Sequence, residues 1–142
     1  MKKKHQIRKM TARDYNAVIS LWQDMPGIGL DEDCDSRPGI ARYLKRNPGL
    51  SFVACCGDEI VGAVLSGHDC RRGYLHHLAV AIPHRKLGLG NELVARCLRA
   101  LAGCHIPKCN IFLLQSNVKG RAFWLHKGWI LRRNLRVLQK MT

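Results

Sequence analysis

The sequence predicts a single α/β domain in which helices pack against a mixed sheet. Three observations lead to this fold class. The chain has 142 residues, which is the size of one domain. Short apolar runs bounded by Gly, Pro and Asp alternate with helical patterns, and one helix near the middle is long and amphipathic. We therefore expect one domain over residues 1–142, with six to seven strands and about four helices.

The first elements are a short strand at residues 7–10 and two helices. Thr11 and Asp14 stand in a capping-box-like relation, and apolar residues at helical spacing continue as far as Trp22. The acidic stretch 31–35 is loop-like. Pro38 suits the first turn of the second helix, which ends at 47–49.

The remaining pattern predicts a hairpin, a third strand and two further helices. Residues 50–56 and 60–66 are apolar strands joined by a turn at 57–59, and 74–82 is a further strand. A helix with one apolar face begins in the loop 85–90 and ends at Gly103. A buried strand at 111–114 and a helix at 118–127 follow, and 129–138 completes the chain as one or two strands.

The charge is strongly uneven along the chain. The net charge is +14, and residues 71–142 hold 14 Lys and Arg against the single acid Glu92. Such a field attracts phosphorylated cofactors or nucleic acid, although a solvated basic face gives the same composition. The seven cysteines form no Cys-x-x-Cys pair, which favours reduced cysteines over a disulfide framework or a metal site. Without a signal-peptide or membrane-helix pattern, we expect a cytoplasmic protein that has no membrane partner.

The informative segment is residues 78–90, where a strand ends, a basic loop with Gly88 and Gly90 follows, and the amphipathic helix begins. Free backbone N–H groups and the helix dipole make such a junction an anion site. Gly88 and Gly90 allow a phosphate to approach the backbone. A Walker loop is excluded because no Gly-Lys-Ser/Thr follows, and a dinucleotide fingerprint lacks its third glycine.

Arg85, Gly88 and Gly90, placed directly after a Leu-Ala-Val strand and a proline, resemble the GCN5-related N-acetyltransferase (GNAT) superfamily. The hairpin at 57–62 and the late segment from Asn117 to Trp129 are similar to other parts of the family pattern. The chain also resembles the small stand-alone bacterial members of the YpeA type. The resemblance implies a mostly antiparallel central sheet flanked by helices, and the family leaves a homodimer open.

The resemblance also implies acetyl transfer from acetyl-CoA to a primary amine by direct attack in a ternary complex. The strand that contains Leu78 and Val80 would bind the pantetheine arm through free backbone groups, and the loop amides would bind the pyrophosphate. The implied cofactor-binding residues are Leu78, Ala79, Val80, Arg85, Lys86, Leu87, Gly88, Leu89, Gly90, Asn117, Arg121, Phe123 and Lys127.

The candidate general bases are His76 and His77, because histidine titrates near neutrality. Alternation along a strand predicts that they face opposite sides of the sheet, and His76 is preferred. An ordinary structural histidine is the alternative for each. Many family members carry Tyr as general acid where this chain has Trp124, an indole without usable acidity, so Tyr74 and His126 are possible replacements.

The acidic loop is the candidate acceptor site. Its like charges repel one another, which argues against a folding role and favours attraction of a cationic amine; a solvated loop is the alternative. The residues are Asp31, Glu32, Asp33 and Asp35. Two other functional hypotheses stay open. The first is a nucleic-acid-associated protein or an RNA-directed acetyltransferase, which is not favoured because no nucleic-acid-binding motif is present. The second is a degenerate family member that binds acyl-CoA without catalysis.

Overall fold

A mixed sheet organises the first of two units in the computed structural model, which describes residues 3–142 and divides after Phe112. The strands run in the order β1-β2-β3-β4-β5, with every neighbouring pair antiparallel except β4 and β5, which are parallel. Their bounds are β1 His5–Lys9, β2 Phe52–Cys56, β3 Glu59–His68, β4 Gly73–Val80 and β5 Cys109–Ile111.

The expectation of six to seven strands is wrong, because the described residues form five. Residues 129–138, predicted as one or two strands, belong to no ladder, and Ile130 and Leu138 are 82% and 94% exposed. Strand-like composition makes a strand only where an edge offers backbone partners and a surface to pack on. In the described part of the chain no strand pairs with this segment.

Helices cover both faces of the sheet. On one face lie α1 (Tyr15–Gln23) and α2 (Arg37–Arg46), whose Val18, Trp22 and Ile40 are buried in one core cluster with sheet residues. On the other face lies α3 (Leu89–Gly103), with Leu93 and Leu101 buried against the sheet. Full burial of such side chains contributes about 1.5–3 kcal/mol each. These helices and α4 (Val118–His126) confirm the predicted number.

Local signals start the first two helices as the sequence predicts. The Asp14 carboxylate accepts the Thr11 N–H at 2.8 Å and both Arg8 guanidinium nitrogens at 2.8 Å. These bonds hold the pKa of Asp14 below its ordinary value, with the Arg8 contact as the largest cause and burial opposing it. Ser36 caps α2 by accepting the Gly39 N–H.

The second unit, Leu113–Thr142, contains α4 and the extended chain that follows it. Asn117 caps this helix by accepting the Gly120 N–H at 2.9 Å, and Gly128 follows it at φ +88°. None of the helices formed by residues 3–142 has both the length and the apolar character needed to cross a bilayer.

Candidate active site

The loop between β4 and α3 is an open cradle of backbone amides. Ile82–His84 forms one 3-10 turn, and the chain then passes through Lys86 at φ +63° and Gly88 at φ +81° before α3 begins. Within the described residues, no protein acceptor takes the N–H groups of positions 86–91. A Cβ on Gly88 would meet nothing within 4 Å, so open space lies beside the loop. Unpaired amides, helix dipole and nearby cations together suit an anion.

Arg85 fixes the entrance of this loop. Its Nε donates to the carbonyl of Val80 at 2.9 Å, and one terminal nitrogen lies 3.2 Å from the sulfur of Met25. The side chain therefore ties the end of β4 to the segment after α1. Lys86 and Leu87 are exposed, whereas Leu89 is buried and anchors the first turn of α3.

The outer half of β4 has one unpaired edge. Pairing with β5 covers only Gly73 to Leu75, although β4 continues to Val80 along β3. Ala81 donates to Val61, so alternation turns the backbone groups of Val80 away from β3 and toward the open side. The expectation that the backbone groups of Leu78 and Val80 are free needs one correction, because the Val80 carbonyl accepts a hydrogen bond from Arg85.

A β-bulge in β4 overturns the expectation that His76 and His77 face opposite sides of the sheet. The register passes from Ala63↔Ala79 to Leu65↔His76, so β4 holds one extra residue, and His77 has φ +58°. Both imidazoles consequently lie on the α1–α2 side, with ring centroids 6.1 Å apart. A bulge re-aims side chains in this way.

His77 is paired with a carboxylate. Its Nε2 lies 3.0 Å from Asp35 Oδ1, and both side chains are largely buried. Its ring also packs edge-on against Trp22, with centroids 5.0 Å apart. Such a pair fixes the orientation of the imidazole.

His76 occupies an aromatic setting without a polar partner. Its ring lies 6.1–6.3 Å from those of Tyr43, Tyr74 and Phe112, and no hydrogen bond to its nitrogens occurs among the described residues. Burial and then the charge of His77 lower the pKa of His76 below the ordinary 6.5, against a smaller opposing effect of Asp35. His76 is therefore neutral at physiological pH and has free nitrogens.

The four loop carboxylates are not equivalent, and the argument against a folding role is wrong for two of them. Asp35 is 8% exposed and accepts the Asp31 N–H at 2.8 Å. Asp31 accepts the N–H groups of Asp33 and Cys34, which lowers the pKa of its carboxyl. Glu32 and Asp33 are exposed, and no polar group of the described chain contacts their carboxylates.

The second unit carries the other predicted cofactor contacts. The Oδ1 of Asn117 is used in capping α4, and Arg121 is exposed. The structure brings Phe123 and Lys127 together, with the Lys127 ammonium 5.9 Å from the Phe123 ring centroid. Trp124 packs edge-on against Phe123 and Trp129.

Sequence reasoning missed three contributors to the site: the Asp35 partner of His77, Tyr43 and Phe112. Asp35 lies 42 positions from His77, and no local signal joins them. Tyr43 has the pattern of an ordinary apolar position of α2, yet its hydroxyl lies 2.5 Å from where a Cβ on Gly67 would be, which is a close approach that only the fold reveals. Burial raises the pKa of Tyr43 to about 12.

Residues 15–129 match the model of the acetyltransferase (GNAT) family. The chain is 32% identical over 114 residues to Acetyltransferase plu1384 of Photorhabdus laumondii, covering 79% of this chain and 77% of that protein. It is 39% identical over 87 residues to human N-alpha-acetyltransferase 30, covering 57% of this chain and 23% of that protein. A solved PaiA N-acetyltransferase from Thermoplasma acidophilum, in complex with coenzyme A, has a TM-score of 0.76 at 15% identity and covers 87% of this chain and 88% of that one.

The arrangement of the sheet, the amide-lined loop and the match to the family model all indicate the same class of enzyme. The chain belongs to the GNAT acetyltransferase family and is an acetyl-CoA-dependent N-acetyltransferase. The likeness to the YpeA type stays a prediction.

Proposed function

We propose that this enzyme transfers the acetyl group of acetyl-CoA to a primary amine of a small molecule or peptide by direct attack within a ternary complex. The observation that carries the proposal is the amide-lined loop at the start of α3, which follows the unpaired half of β4, the strand that also carries the neutral imidazole of His76. The three features supply an anion cradle, an extended backbone edge and a proton acceptor on consecutive segments of the chain.

The residues present fit acetyl-CoA, whose thioester supplies the activated acetyl group. The free amides of positions 86–91, with Arg85 and Lys86, suit a pyrophosphate. Because the Val80 carbonyl is bonded to Arg85 and alternation turns the backbone groups of Ala79 toward Ala63 of β3, we assign the pantetheine contacts chiefly to the N–H of Val80 and the backbone of Leu78. Asn117, Arg121, Phe123 and Lys127 remain proposed contacts.

His76 is the proposed general base. An alkyl ammonium must lose a proton before it attacks, and His76 is neutral with both nitrogens free of protein partners in the described chain. His77 is less suited, because its Nε2 is engaged by Asp35. We assign this pair to holding the bulge and His76, with His77 itself as the alternative base.

Tyr74 is the proposed donor to the departing thiolate in place of the family tyrosine. Its ring stacks on those of His76 and Phe112, at centroid separations of 6.3 and 5.7 Å. Trp124 cannot serve because an indole N–H has no usable acidity. A thiolate is a good leaving group, so we expect this donor to contribute modestly.

The acceptor is proposed to be a cationic amine. Glu32 and Asp33 offer exposed negative charge in an otherwise basic protein, whereas Asp31 and Asp35 shape the loop that presents them. Tyr74 and Phe112 add ring faces that attract a cation. The relative named N-alpha-acetyltransferase 30 supports a peptidyl amine at this site.

Calorimetric titration with acetyl-CoA, followed by a thiol-release assay over small amines, peptides and RNA, tests the proposal. We expect binding, and release that requires a small or peptidyl amine. Binding without release on any amine would identify a degenerate acyl-CoA-binding member. Absence of binding would favour the nucleic-acid function, and release only with RNA would identify an RNA-directed enzyme.

We also propose a cytoplasmic location. All seven cysteines are free thiols, and Cys55, Cys56 and Cys97 are buried in the domain without forming a bridge. A reducing compartment maintains such a set. Fractionation of the native host should recover the protein with the reduced cytosolic fraction, and recovery elsewhere would contradict the proposal.

A further inference from the structure

Three metal-ligating side chains converge on the α3 side of the sheet. They are His5 of β1, Cys56 of β2 and His84 of the turn that precedes the amide-lined loop. One ligand atom from each lies within 4.8 Å of the others. The Nε2 of His5 and the Nδ1 of His84 are already 2.9 Å apart, and their rings meet edge-on.

Sheet register and alternation produce this cluster. His5 and Cys56 are directly opposed in the β1–β2 ladder, so their side chains share a face. Cys55 belongs to the core on the α1–α2 side, so Cys56 points to the side of α3. The cluster therefore lies across the sheet from His76 and His77, and the inference drawn from it does not rest on the proposed acetyl transfer.

We propose that His5, Cys56 and His84 bind one zinc ion. One thiolate and two imidazoles form a donor set that zinc prefers, with a fourth position left for water or a further ligand. Tetrahedral coordination requires about 3.4 Å between the two nitrogens and about 3.6 Å from each to the sulfur. The nitrogens need to separate by roughly half an ångström from their present contact, and the nitrogen–sulfur distances, which lie within 4.8 Å, need to reach about 3.6 Å. Rotations of the two half-buried rings and of the Cys56 side chain are the movements required.

The proton balance of binding is simple. Cys56 releases its thiol proton to the solvent, because the thiolate is the ligand. The ring proton shared between Nε2 of His5 and Nδ1 of His84 moves to the other nitrogen of its own ring, so both imidazoles bind neutral. The thiolate offsets half of the zinc charge. Glu59, the register partner of Cys56 on β3, places a carboxylate on the same face.

Cobalt(II) titration of the full chain is the direct test, because cobalt replaces zinc and reports its ligands by absorption. The background protein carries Cys34→Ser, Cys70→Ser and Cys104→Ser, which removes the exposed thiols. We expect one cobalt per chain, a thiolate-to-cobalt charge-transfer band in the near ultraviolet, intense tetrahedral visible bands, and displacement of cobalt by zinc.

Substitutions assign the ligands. His5→Gln and His84→Gln, both at half-buried positions, should each weaken binding by at least about tenfold, as Cys56→Ala should. The matched control is Cys55→Ala. Cys55 is the adjacent buried cysteine and faces the core on the α1–α2 side, so this variant should keep the cobalt spectrum. If Cys56→Ala fails to fold, the two histidine variants decide.

Three results would overturn the proposal. They are absence of a thiolate band in the background protein, an unchanged cobalt affinity in both histidine variants, and equal loss on Cys55→Ala and Cys56→Ala. The last would show that the spectrum depends on packing of β2 rather than on this donor set.

Discussion

Gly88 allows binding and folding to be separated by one substitution, Gly88→Val. Its φ of +81° lies in the left-handed region, and a Cβ there would meet no atom within 4 Å. Valine therefore introduces backbone strain but no clash within the fold. A non-glycine residue in this conformation costs roughly 1–2 kcal/mol, more when β-branched, which a domain with about 5–15 kcal/mol of stability tolerates.

The effect on cofactor binding should be larger. The new side chain occupies the open space in front of the free amides of positions 86–91. Loss of even one hydrogen bond from these amides to a phosphate costs about 1.5–3 kcal/mol, which corresponds to about 10- to 100-fold in the dissociation constant. We expect that rise for acetyl-CoA in calorimetry, with a modest fall in the urea midpoint.

Gly103→Val is the matched control, because Gly103 lies at the other end of α3 and lacks a positive φ, and a Cβ there would also meet no atom within 4 Å. It should leave acetyl-CoA affinity unchanged. The assignment of the loop is refuted if a folded Gly88→Val protein binds acetyl-CoA as the parent does, or if Gly103→Val weakens binding equally.

The other predictions concern the base, a helix start and the acceptor. His76→Ala should lower kcat/KM by ~10²–10⁴-fold and spare acetyl-CoA affinity. If only His77→Ala has this effect, His77 and not His76 is the general base. Because the pKa of His76 is lowered, the acidic limb of kcat/KM should have its midpoint below pH 6.5, and a midpoint above that value would contradict the assignment. Asp14→Asn should cost about 1–3 kcal/mol in urea unfolding at neutral pH. Since the folded pKa of Asp14 lies below 3.8, this difference should persist above that pH and vanish as the pH falls through the folded pKa; a pH-independent difference would refute the charge argument. Neutralising Glu32 and Asp33 should raise the acceptor KM at low salt and spare the acetyl-CoA KM, since exposed charges act over only ~8 Å at physiological salt; an unchanged acceptor KM would leave the loop without a binding role.

The sequence predicts those parts of the fold that depend on neighbouring residues. The turn at 57–59 and the Pro38 start of α2 follow from backbone preferences that each residue carries locally. The anion loop belongs to this group, because its amides are left free by the helix start itself. The amphipathic face of α3 also follows from local spacing, and Leu93 and Cys97 are buried as that spacing implies.

What the sequence does not predict depends on partners distant in the chain. The bulge in β4 exists relative to the register of β3, and period-two alternation contains no sign of it. The segment 129–138 has the residues of a strand, but its pairing is a property of the edges available to it. The sequence pattern also does not predict the cluster of His5, Cys56 and His84, because its members come from three separate elements that only the fold brings together.

The bulge, the acidic loop and the two histidines depend on one another. Under strict alternation the two histidines would face opposite sides of the sheet, so only one of them could lie on the side of Asp35, which is almost fully buried. A buried carboxylate without a hydrogen-bond partner is costly, whereas a hydrogen bond to a charged group contributes about 1.5–3 kcal/mol. The left-handed φ of His77 costs roughly 1–2 kcal/mol, and the contact with Asp35 offsets this strain. Because that bulge also brings the His77 ring to 6.1 Å from the His76 ring, the carboxylate that fixes the loop helps set the pKa of the proposed base.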